Sequence, residues 1–120
     1  MSGVAEPLIQ ASLLGEAIDH GPVAVFVADD DLRYIAVNEF ACRLLGYSRQ
    51  ELLSLRLTDV ARGPNGTAEY ADFVAHRARD GRTTLTRKDG VEVAIEYRAA
   101  ETTVAGMRFY VAIGWPVAGA

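Results

Sequence analysis

Tyr34-Ile35-Ala36-Val37-Asn38-Glu39-Phe40-Ala41-Cys42-Arg43-Leu44-Leu45-Gly46-Tyr47-Ser48-Arg49-Gln50-Glu51-Leu52 reads as strand, helix, stop and second helix without a gap. The strand is Arg33 to Val37, where β-branched and aromatic side chains suit a pleated surface. Asn38 follows, and its short polar side chain can accept hydrogen bonds from the amides that open a helix. Phe40, Ala41, Leu44 and Leu45 give that helix an apolar face, and Gly46 tolerates the left-handed exit that ends it. Ser48 to Glu51 then has the Ser-x-x-Glu pattern of a capping box ahead of Leu52 and Leu53.

Upstream, Val23 to Ala28 is a second β-branched and aromatic run, and the polar turn Asp29-Asp30-Asp31 joins it to Arg33–Val37 as a β-hairpin. Before it, Leu8, Ile9, Leu13, Leu14 and Ile18 form the apolar stripe of an amphipathic helix that Gly21-Pro22 stops. Downstream, Thr58 to Ala61 is a third short helical turn, and Arg62-Gly63-Pro64-Asn65-Gly66 is a loop. Thr67 can cap a longer helix running to about Arg79, with Asp80-Gly81 as its stop. Three strands complete the chain: Arg82–Arg87, Val91–Glu101 and Met107–Trp115, joined by turns at Lys88-Asp89-Gly90 and Ala105-Gly106. The order predicts an α+β domain with helices packed on one face of an antiparallel sheet. Residues 1–20 are the cap helix, 21–116 the domain and 117–120 a tail.

Val91, Val93, Ile95, Tyr97 and Ala99 alternate with Glu92, Glu96 and Arg98, so one face of that strand is buried and one is wet. Glu92, Glu96 and Glu101 are assigned to the wet side, where raised catalytic pKa values are not expected. The last strand is apolar on both faces. Phe109, Val111, Ile113 and Trp115 are taken as the inward set, and Tyr110, Ala112 and Gly114 as an outer face needing a cover. The N-terminal helix, through Leu8, Leu13 and Ile18, and a second copy of the chain are the expected covers, giving a homodimer.

The composition, half hydrophobic and 23% charged over 120 residues, is that of one globular domain. A net charge of -4 argues against direct nucleic-acid or membrane-surface binding, which needs a basic face. Cys42 is the only cysteine, so neither an internal disulfide nor a thiolate zinc site is available. The expected chain is soluble and cytoplasmic, with no membrane helix or signal peptide. Enzyme motifs are absent: no glycine-rich phosphate cradle, no Gly-x-Ser-x-Gly elbow, and His20 and His76 have no evident nucleophile. Asp72 and His76 share a helical face but lack further metal ligands, so no metal site is assigned.

Gly21-Pro22-Val23-Ala24-Val25-Phe26-Val27-Ala28-Asp29, Tyr34-Ile35-Ala36-Val37-Asn38, Leu44-Leu45-Gly46-Tyr47-Ser48-Arg49-Gln50-Glu51-Leu52 and Arg87-Lys88-Asp89-Gly90, in this order, resemble the PAS domain family. The resemblance implies a five-stranded antiparallel sheet in the order 2-1-5-4-3 and a signalling role, in two-component or transcriptional regulation, through an effector domain or partner protein. It also implies a pocket between sheet and helices for a small, mainly apolar molecule. The pocket would be lined by Phe26 and Ala28, Leu57 and Val60, Tyr70, Phe73 and Val74, Ile95 and Tyr97, and Val111, Ile113 and Trp115. These side chains would equally fill a close-packed core, leaving a ligand-free interaction module as the alternative.

The cofactor is left open, and two classes are disfavoured. Thiol-adduct flavin relatives carry a cysteine where this chain reads Leu55-Arg56-Leu57-Thr58, and Cys42 falls in an earlier helix. Haem relatives place a histidine about where Tyr70 stands, whereas His76 is nearer the expected helix end.

Overall fold

The computed structural model describes residues 5–61 and 78–117. In chain order the elements are α1 (Ala5–Asp19), β1 (Ala24–Ala28), β2 (Tyr34–Val37), α2 (Glu39–Leu45), α3 (Arg49–Leu52), α4 (Leu57–Val60), β3 (Ala78–Thr86), β4 (Glu92–Val104) and β5 (Met107–Pro116). The strands form one antiparallel five-stranded sheet in the order β2-β1-β5-β4-β3. The fold is therefore α+β with short helices, as expected.

Local chemistry sets the helix ends. Asn38 accepts from the Ala41 amide at 3.1 Å to start α2, and Gly46 ends it at φ 77° with its N–H donating to the Cys42 carbonyl. The Ser48 hydroxyl accepts from the Glu51 amide at 3.1 Å while Glu51 accepts from the Ser48 amide at 2.9 Å, the reciprocal box that starts α3. Ala24, Phe26 and Ala28 alternate with half-buried Val25 and Val27, so the inner face of β1 forms the floor of the core. Ala41, Leu45, Leu52 and Val60 from α2, α3 and α4 pack over it, each fully buried.

The register reverses the expected faces of β5. Ala24, Phe26 and Ala28 pair with Gly114, Ala112 and Tyr110, and on the other side Tyr97, Ala99 and Glu101 pair with the same three residues. Cross-strand partners share a face, so Tyr110, Ala112 and Gly114 lie inward with Phe26, whereas Val111, Ile113 and Trp115 lie outward with Val25, Arg98 and Glu96. Alternation alone cannot choose between two apolar faces, and a shift of one residue inverts the whole strand. The same parity turns Glu101 inward. Its side chain is 13% exposed and is paired with Arg108 at 2.6 Å, so it is not the wet-face carboxylate expected.

Two further expectations are corrected. Ala78–Gly81 is strand, not the end of a helix stopped by Asp80-Gly81: Asp80 pairs with Arg98 and Gly81 with Tyr97 across β3 and β4. The ladder to β4 outweighs a local helix stop, because tertiary pairing overrides propensity. The proposed helix from Thr67 lies otherwise outside the described residues. In addition, α1 does not cover the sheet, since Leu8, Leu13 and Ile18 are 70%, 64% and 50% exposed.

Candidate functional site

A cavity of about 120 Å³ lies over the inner face of the sheet. Phe26 and Ala28 come to it from β1, Ile95, Tyr97 and Ala99 from β4, Thr83 and Leu85 from β3, and Tyr110, Ala112 and Gly114 from β5. Among the described residues, Leu32 and Tyr34 from the β1–β2 hairpin and Leu57 and Ala61 around α4 also line it. Val111 and Ile113 also border it, although the register directs them to the opposite face and Ile113 is 37% exposed. Their side chains point away from it, because alternation along a strand leaves only the backbone of an outward residue on the inner side.

Of the other residues expected at the pocket, Val60, the last residue of α4, is fully buried without lining the cavity, and Trp115 stands on the outer face opposite Glu96. Tyr70, Phe73 and Val74 lie outside the described residues, as do Asp72 and His76. Missing from the expected set are Leu32, Tyr34, Ala61, Thr83, Leu85, Ala99, Tyr110, Ala112 and Gly114. Ala99 and Leu85 had a signal in the strand alternation. Leu32 had none, since it stands in a turn.

The described lining is apolar apart from the hydroxyl-bearing Tyr34, Thr83, Tyr97 and Tyr110, and among the described residues no charged side chain lines it. Phe26 and Tyr34 stack at 5.4 Å with a 34° tilt, and burial, reinforced by the Asp59 carboxylate, pushes the Tyr34 phenol up from its ordinary value. That phenol therefore stays protonated, and the ring acts through packing. Cys42 is half-buried on α2 and does not line the cavity, and burial raises its thiol away from the thiolate form that reactive chemistry needs. Leu57 stands at the cavity in the stretch where a photochemical cysteine would be.

A polar clasp ties the cavity scaffold to α1. Asn38, 3% exposed, accepts from the Val25 amide at 2.9 Å and donates to the carbonyls of Ile18 and Val23, both at 2.8 Å. One buried side chain thus satisfies the end of α1, the entry to β1 and the start of α2. Around it, Asp19 pairs with Arg49, and the His20 ring meets Glu39 at 2.7 Å and Glu16 at 3.3 Å. The hydrogen bond to Glu39 holds the His20 pKa above its ordinary value.

A PAS domain family profile matches residues 22–113. The chain is similar in fold to a PAS domain from a two-component sensor histidine kinase, with a TM-score of 0.82 at 19% identity over 92% of this chain and 99% of that one. It is similar to the PAS domain of an HTR-like protein from Haloarcula marismortui, with a TM-score of 0.77 at 21% identity over 94% and 97% of the two chains. An RNA-binding light-oxygen-voltage receptor aligns with a TM-score of 0.81 at 21% identity, over 98% of this chain and 36% of the receptor. No curated protein matches. At these identities the solved structures speak to fold, and the family profile covers most of the sequence with the strand order already described. The chain belongs to the PAS domain family of sensory domains.

Proposed function

We propose that this PAS domain binds a small, mainly apolar ligand in the cavity over its sheet and relays occupancy through a homodimer interface to an effector domain or partner protein. It does so without catalysis, in the cytoplasm and without direct contact to nucleic acid or membrane. The observation carrying this reading is that β5 borders both compartments: Tyr110, Ala112 and Gly114 line the cavity, while Val111, Ile113 and Trp115 lie on the opposite face. A ligand that favours one position of β5 changes the surface presented by its other side, as differential affinity for two states requires. Burial of apolar ligand surface contributes roughly 25 cal/mol per Å².

The dimer face of this reading combines exposed Leu8, Leu13 and Ile18 of α1 with the outer side chains of β5. It replaces the assignment to Tyr110, Ala112 and Gly114, which line the cavity. The test is thermal denaturation against a panel of small neutral aromatic and aliphatic compounds, with light scattering on the same samples. The expected result is stabilisation by at least one compound and a change in dimer mass or affinity. Absence of any stabilisation across the panel overturns the ligand.

One observation favours a second reading, a ligand-free dimerisation module. The cavity, at about 120 Å³, is smaller than the roughly 300–1,000 Å³ of typical small-molecule sites. In that case the same panel leaves stability unchanged while light scattering still reports a dimer.

A further inference from the structure

Leu32 holds φ at 64°, in the left-handed region that bulky side chains avoid and that glycine or asparagine enters readily. Its backbone is fixed on both sides. The Leu32 N–H donates to the Asp29 carbonyl at 3.0 Å, and its carbonyl accepts from the Leu57 amide at 2.8 Å. The Asp29 carboxylate accepts from the amides of Asp31 and Arg33 at 2.9 and 3.0 Å, and the Tyr34 amide donates to the Leu55 carbonyl at 3.1 Å. The turn is thus over-determined, which is the condition under which a strained residue persists. Its half-buried side chain lines the cavity beside Leu57, the first residue of α4.

A turn of this geometry is satisfied by glycine at no steric cost, so leucine is explained by its side chain and not by its backbone. We propose that Leu32 is the lip of the cavity, the residue that sets the upper size of the ligand admitted. This rests on the ligand reading above. The cavity volume matches a single ring, because apolar cavities of about 150 Å³ take benzene. With the Leu32 side chain in place, a fused two-ring compound meets the hairpin. With it removed, the cavity lengthens between the hairpin and Leu57, both of which line it.

The experiment measures the binding of toluene and naphthalene to the full chain by thermal shift and calorimetry, for the unmodified protein, Leu32→Ala and Leu32→Gly. Leu32→Gly also releases the left-handed constraint, so Leu32→Ala isolates the effect of size. The expected result is toluene binding to the unmodified protein, and naphthalene affinity raised tenfold or more in both variants while toluene affinity falls or changes less than threefold. If toluene binds the unmodified protein but naphthalene affinity is the same in all three, Leu32 is not the lip and the ligand reading stands. If neither compound binds any of the three, both the lip and a ring-sized ligand are overturned.

Discussion

Gly114 and Tyr97 face each other across β5 and β4, and Tyr97 also faces Gly81 across β3, so the tyrosine stands between two residues without side chains. A Cβ on Gly114 would lie 3.0 Å from Ile95 Cδ1, 3.3 Å from the Glu96 carbonyl oxygen and 3.6 Å from Tyr97 Cβ. A side chain at Gly114 therefore fits only if Ile95 and the β4 backbone shift by a few tenths of an ångström, in the same register that points Ala112 and Tyr110 at the cavity. Gly114→Val is expected to destabilise the domain by about 1–3 kcal/mol through overpacking. Urea denaturation at neutral pH checks this, and a variant as stable as the parent contradicts the inward assignment of Gly114.

The two faces of β5 are separable by mutation. Ile113→Glu places a charge on an exposed outer position and is expected to weaken the proposed dimer with stability within about 0.5 kcal/mol of the parent. Ala112→Leu is expected to fill the cavity and abolish ligand stabilisation while leaving dimer mass unchanged. Sedimentation and thermal shift on both variants distinguish the outcomes, and the opposite pattern would restore the reversed faces.

Asn38 joins three elements through its side chain. Asn38→Ala removes a helix cap and strands buried backbone partners, an expected loss of about 2–4 kcal/mol. Asn38→Asp keeps the acceptor toward Val25 and Ala41 but loses the donor toward Ile18 and Val23. It is expected to retain α2 while loosening α1, which hydrogen exchange at residues 16–20 reports.

Glu51 accepts from Lys88 Nζ at 2.5 Å and from the Ser48 amide, and these partners hold its carboxyl down at about 2. A folded pKa below the unfolded one gives stability that is present above the unfolded value, near 4.5, and is lost as pH falls toward 2. The expected observation is a drop in urea midpoint across that window that is smaller in Glu51→Gln. An identical acid slope in the two proteins would contradict the pairing. Solvent exposure of both groups keeps the effect modest.

His20 works in the opposite sense. Its pKa is raised by Glu39, so its contribution is complete below 6.5 and is lost as pH rises through the higher folded value. Titration followed by NMR is expected to place the His20 ring above the ordinary histidine value in the parent and nearer to it in Glu39→Gln. An unshifted ring in the parent would contradict the clasp.

Much of this molecule is written locally. Asn38, Gly46 and Ser48–Glu51 specify caps through bonds within a few residues, and the runs Val23–Ala28 and Arg33–Val37 specify a hairpin, so these elements follow from the sequence by itself. The segments that resemble the PAS domain family, and the profile match over residues 22–113, also lie in the sequence itself. Tertiary structure decided the rest. Phe109–Trp115 is apolar on both sides, and only pairing with β1 and β4 tells which side meets Phe26. Asp80-Gly81 reads as a helix stop until the ladder with Arg98 and Tyr97 claims it as strand. Leu32 enters the cavity wall where a hydrogen bond from the distant Leu57 amide and another to the nearby Asp29 carbonyl hold a leucine in a conformation that its own chemistry disfavours. Short-range bonds are legible from residue types, whereas the face of a strand and the strain in a turn are settled by what packs and pairs against them.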